Sequence, residues 1–159
     1  MIVFRMLRVG VKKMKIESRS AYSLKQLNNP TVRAELVNCM KDTGPVFPVS
    51  LSVDLDDPAK SFVEMASKHG RENDLNVYHY TFVPDDNDYK QAKHDNAKLC
   101  GDIAFRTVIA GHDIGVLNPV AFAVHGGEDI RVDFLFSNVN KFNGQISENV
   151  DELFKHAMQ

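Results

Sequence analysis

Between Val49 and Val83 the side-chain pattern changes period twice, and that change limits what the chain can fold into. Val49, Leu51, Val53 and Leu55 alternate with Ser50, Ser52 and Asp54, the period of a strand with one covered face. Asp57-Pro58 then offers a helix cap and a first-turn proline. Phe62, Val63, Met65 and Ala66 mark an apolar side that ends at His69-Gly70. An acidic connection carrying Glu72 leads into Asn76 to Val83, where Tyr78, Tyr80 and Phe82 lie opposite Val77, His79, Thr81 and Val83. Such aromatic and β-branched density reads as a second strand. Two half-covered strands joined by an amphipathic helix require a sheet with a helix packed on it.

The flanking segments extend the same theme. Lys15 to Tyr22 reads as a first strand, and Asn28-Asn29-Pro30 opens a helix with Val32, Leu36, Val37 and Met40 on its buried stripe. Gly44 and Pro45 stop that helix. A turn at Pro84 to Asp88 precedes an expected helix over 89–101, and 105–110 reads as a strand. Strands over 120–125 and 129–137 flank Gly126-Gly127, and Val150 to Met158 reads as a closing helix. The expected fold is α+β, a ferredoxin-like antiparallel-rich sheet with helices packed on one face and an inserted helix. Residues 1–14 read as an N-terminal extension, an edge strand or an untethered segment. Residues 15–159 read as a single domain.

The totals exclude several functions. A net charge of -2 argues against a dedicated nucleic-acid binder, which carries a basic stripe. Cys39 and Cys100 fit neither a disulfide framework nor a zinc spacing, which points to reduced thiols in the cytoplasm. No apolar run approaches the roughly 20 residues of a membrane helix.

No high-specificity catalytic motif is present. His112-Asp113, with His94-Asp95, resembles an HD phosphohydrolase word, but on one helix the pairs would stand about 27 Å apart, too far for one metal centre. No metal centre is therefore expected from these pairs. His79-x-Thr81 matches half of a two-histidine phosphoesterase signature, and the nearest second half, His125-Gly126-Gly127, lacks the hydroxyl. There is no Gly-x-Ser-x-Gly elbow and no phosphate loop. Ser50, Ser52 and Asp54, with Glu72 before the next strand, form either a solvated face or a ligand face. Tyr22, Phe47, Tyr78 and Tyr80 are available as stacking surface.

In order and approximate spacing, the chain resembles the short phage-encoded S-adenosylmethionine-degrading enzymes, once called hydrolases and better described as lyases. The likeness runs from Ser20 to His125. It comprises Ser20-Ala21-Tyr22; Asn29, Arg33, Val37 and Met40; Gly44; Val53-Asp54-Leu55; Phe62-x-Glu64; Glu72; and Ala97-Lys98-Leu99-Cys100. Where that family carries Gly-Ser-x-Glu-Ser, this chain has Pro48-Val49-Ser50-Leu51-Ser52. The resemblance implies a cytoplasmic homotrimer with sites between subunits, acting on S-adenosylmethionine without a cofactor. The substrate's own carboxylate would expel methylthioadenosine and leave homoserine lactone, depleting the methyl donor used by host restriction and modification. Glu72 would be the catalytic residue, an acidic side chain that orients the substrate or balances its positive charge, with Tyr22, Phe47, Ser50 and Asp54 as substrate contacts. Two alternatives remain: a non-enzymatic inhibitor that binds a host protein, and a phosphoesterase using His79.

Overall fold

The computed structural model describes residues 14–41, 46–84, 117–125 and 131–158. The expected helix over 89–101, the strand over 105–110, His94-Asp95, His112-Asp113, Cys100 and most of the N-terminal extension lie outside the described residues.

Among the described residues five strands form one sheet: β1 (Met14–Tyr22), β2 (Val46–Leu51), β3 (Val77–Pro84), β4 (Val120–His125) and β5 (Arg131–Ser137). Their order is β1-β3-β5-β4-β2, and every neighbouring pair is antiparallel. The helices are α1 (Leu24–Leu27), α2 (Pro30–Lys41), α3 (Pro58–Lys68) and α4 (Val150–Met158), with a 3-10 turn at Glu72–Asp74. The fold is α+β. Three strands stand between β1 and β2, so the strand order departs from the ferredoxin-like split βαβ, in which a single strand separates the joined pair.

The helices do not all pack on one face, which corrects the sequence expectation. Leu27 of α1, Leu36 and Met40 of α2, and Phe62 and Ala66 of α3 pack with Val77, Ala121, Ala123 and Leu135 on one side of the sheet. Val150 and Phe154 of α4 pack with Tyr80, Phe82, Phe134 and Phe136 on the other. The reason lies in the central strands. β3 and β5 carry a row of aromatics on alternate residues and Val77 and Leu135 on the intervening ones. Both rows must leave water, so each face needs a cover. Phe154 provides the second cover, with ring centroids 4.3 Å from Phe136, 4.9 Å from Phe134 and 5.0 Å from Tyr80. Arg19 of β1 ties α4 down: its guanidinium donates to Asp151 at 2.8 Å, and the Tyr80 hydroxyl donates to the same carboxylate.

β2 begins and ends earlier than its alternation predicts. It runs from Val46 to Leu51, and Ser52 adopts a left-handed backbone (φ 65°) that breaks the extended run. Val53 then turns into the core beneath the helices, and Asp54 accepts the Asp56 amide in a tight turn. The cap on α3 is as expected: Asp57 accepts from the Lys60 amide at 3.3 Å, with Pro58 at the first helical position.

Candidate functional site

Two polar constructions stand out against this frame. The first lies where β1 ends and β3 begins. α3 stops at His69-Gly70, and Gly70 takes the left-handed conformation (φ 67°) that closes a helix. The chain then folds into the Glu72–Asp74 turn and is pinned by Leu75, which is buried. Asn138, after β5, staples the turn from the other side. Its side-chain amide donates to the Asp74 carbonyl at 3.0 Å, and its side-chain oxygen accepts from the Asn76 amide at 2.8 Å.

An open cleft of about 700 Å³ borders this turn, lined by Ser23, Arg71, Asn73, Asn76, Tyr78 and Glu148 among others. Tyr78 stacks on Phe136 at 5.3 Å, and the Arg19 guanidinium lies 5.5 Å from its ring centroid. Burial, reinforced by the charge of Asp151, pushes the Tyr78 phenol above its ordinary pKa, so it enters the cleft as a neutral donor. Glu72 shares the turn with Asn73 but is not part of the lining. One of its carboxylate oxygens is buried and has no hydrogen-bond partner among the described residues. Such an oxygen has lost water without gaining a donor, which is costly unless something else meets it.

The residues expected to contact substrate are divided between the two edges of the sheet. Tyr22 ends β1 opposite Val77, at the same end of the sheet as the Glu72 turn, and packs half-buried against the helical core. Ser50 lies opposite Ala121, and Phe47 opposite Val124, on β2. That is the far edge, four strand spacings or about 19 Å away. Asp54 is exposed before α3, whereas Glu72 follows it, so an 11-residue helix of about 16 Å separates the two acids. Ser52 is exposed and its hydroxyl accepts from Lys141 at 3.0 Å. Because β2 ends at Leu51, Ser50, Ser52 and Asp54 do not share one strand face.

The second construction is centred on Asp133, which sequence reading passed over. β3, β5 and β4 lie side by side, and on the α1–α3 face of the sheet they present His79, Thr81, Asp133 and His125. The Asp133 side chain is only 4% exposed, and both of its oxygens are engaged. One accepts from Thr81 Oγ1 at 2.7 Å and faces His79 Nε2 at 2.9 Å. The other accepts from Arg131 Nε at 3.3 Å and lies 2.9 Å from His125 Nε2. Burial alone would raise the Asp133 pKa. The contacts from His125, His79 and Thr81 outweigh it and hold the carboxyl well below the usual carboxylate range. Asp133 is therefore a permanent anion at neutral pH.

The two histidines differ. His125 is buried, and its Nε2 lies off the line of a directed hydrogen bond, so neither ring nitrogen has a directed partner among the described residues. The His79 side chain is 18% exposed. His79 Nε2 faces the carboxylate, which can only accept, so that nitrogen is the donor, and His79 makes no other hydrogen bond among the described residues. The signal that could have found Asp133 is a single acid at an inward position of β5, a strand buried along almost its whole length.

No group of metal-ligating side chains able to hold an ion occurs among the described residues. Among the same residues, no helix is long and apolar enough to cross a membrane. Comparison with protein-family models, with curated proteins and with solved structures found no match.

Proposed function

We propose that the protein degrades S-adenosylmethionine by intramolecular lyase chemistry, giving methylthioadenosine and homoserine lactone. The observation that carries this reading is the buried, unpartnered carboxylate oxygen of Glu72 beside an open polar cleft. A carboxylate left without a donor suits a cationic ligand, and the substrate is a sulfonium. Nucleophile and leaving group both belong to the substrate, so the protein need only hold a reactive conformer and limit water. The first of these requirements accords with a polar cleft bearing donors such as Tyr78, and the chemistry needs no cofactor.

The split placement of the remaining site residues bears on assembly. Tyr22 and Glu72 sit toward the β1 edge, while Phe47 and Ser50 sit on the β2 edge. Two half-sites on opposite edges can meet only if one copy presents its β1 edge to the β2 edge of the next. A head-to-tail contact of that kind makes a ring when its rotation closes, and the homotrimer implied by the family resemblance would be such a ring. The biological role would be depletion of the methyl donor in the host cytoplasm, against restriction and modification systems.

The test is incubation of the purified, folded protein with S-adenosylmethionine and chromatography for methylthioadenosine. The reading expects product from the wild type and a loss of about 100-fold or more in Glu72→Gln, the order expected when a charge acting in the transition state is removed. Folded wild-type protein that forms no product would overturn it.

A further inference from the structure

The lyase reading leaves the Asp133 cluster unused, although it gathers side chains from three strands around one buried acid. A buried acid is expensive unless its charge serves packing or chemistry. Here the carboxylate is held by four side chains drawn from three adjacent strands. Its clearest effect is on His79. The carboxylate fixes the tautomer with hydrogen on Nε2 and leaves the lone pair on Nδ1, in a side chain that reaches solvent. A base oriented by a third group is the arrangement general-base catalysis requires. His125 lies 2.9 Å from the second carboxylate oxygen without a directed hydrogen bond and is buried, so it packs against the acid rather than meeting a substrate. Its burial also argues against a two-histidine phosphoesterase, because acid and base must both reach the substrate.

We propose that His79, oriented by Asp133, is a general base that activates water for attack on a lactone. In the forward step the water oxygen bonds to the acyl carbon and its proton passes to His79 Nδ1. The tetrahedral adduct then breaks its acyl–oxygen bond, and the departing ring oxygen takes the proton back from the imidazolium. The net change is lactone plus water to the open hydroxy acid, with no oxidant, metal or second substrate. A five-membered lactone, whose ring holds the ester in its more electrophilic geometry, is within reach of a base alone. The choice of homoserine lactone rests on the lyase reading, which produces it; the dyad itself does not.

Two parallel assays separate the ideas. Homoserine lactone is supplied directly to folded protein, and ring opening is followed by proton NMR. S-adenosylmethionine is supplied in a second arm and methylthioadenosine is measured. The wild type should open the lactone about 100-fold or more faster than buffer, within the range general-base catalysis supplies, with a rate that falls on acidification. His79→Gln should remove the acceleration. Asp133→Asn should lower it and alter its pH dependence, with the histidine ring resonances reporting the changed tautomer in the folded variant. Lactone opening without methylthioadenosine supports the dyad and removes the lyase reading. Methylthioadenosine with lactone opening only at the buffer rate does the reverse. A wild-type rate equal to that of His79→Gln overturns the proposal, as does cleavage of bis(p-nitrophenyl) phosphate with the lactone untouched.

Discussion

Replacing Phe154 by alanine tests the second helical layer directly. The Phe154 ring is fully buried against Tyr80, Phe82, Phe134 and Phe136 at centroid distances of 4.3 to 5.6 Å. Truncating a ring in such a site removes its transfer free energy and leaves a cavity, at a cost of about 3–5 kcal/mol. The aromatic contacts set the loss toward the upper part of that range, because each such pair is worth about 0.5–1.5 kcal/mol beyond area alone. With a urea slope of about 2 kcal/mol per molar, a loss of about 4 kcal/mol lowers the unfolding midpoint by about 2 M. Urea titration followed by circular dichroism reads this directly, and Phe154→Leu gives a smaller loss in the same direction if the alanine variant is too unstable to purify. Leu153→Ala is the control, since Leu153 is 43% exposed on the same helix, and it should stay within about 0.5 kcal/mol of wild type. A Phe154→Ala cost below about 1 kcal/mol would show that α4 does not cover the aromatic face.

Three further outcomes are expected. At Gly144 (φ 73°), an added Cβ would meet His69 Cβ at 2.4 Å, so Gly144→Ala should lose about 1–3 kcal/mol by urea unfolding. Gly70→Ala, with φ 67° but open space, should cost less; equal costs would refute the contact as the cause. Because the folded Asp133 pKa lies below its unfolded value of about 3.9, its charge contributes stability that is complete above about pH 4 and lost as pH falls toward the depressed value. Urea midpoints should therefore drop more steeply below pH 4 in the wild type than in Asp133→Asn, and parallel curves would contradict this. Asp151→Asn should weaken the docking of α4 by disturbing Arg19 and Tyr80 together, seen as earlier amide exchange in that helix than in β5.

Local periodicity made most of the elements legible. The closing helix at Val150–Met158, the strand at Val120–His125 and the faces of β3 were all readable, because each is set by neighbours a few residues apart. The end of β2 was not: the alternation continues to Leu55, but the left-handed backbone of Ser52 is a tertiary choice that no alternation encodes. The placement of α4 on its own face was also hidden. It depends on β3 and β5 lying at the centre of the sheet, a consequence of strand order that one strand's pattern cannot carry.

The candidate site divided the same way. Glu72 and His79 could be noted as residues of the right chemical type. That His79 and His125 meet on one carboxylate required three strands distant in sequence to become neighbours. Asp133 was hidden because a single acid in a strand usually points to water, and only the cover on both faces turns it inward. The separation of Tyr22 from Phe47 and Ser50 likewise follows from strand order, which one strand's pattern cannot carry.

The central claim concerns the bond between sulfur and the γ-carbon of S-adenosylmethionine. The most direct measurement is a time course of methylthioadenosine formed by wild-type protein and by Glu72→Gln, with circular dichroism confirming that both are folded. The account predicts steady product from the wild type and almost none from the variant. Equal product from both would remove Glu72 from the site, and its absence from both would contradict the lyase reading itself.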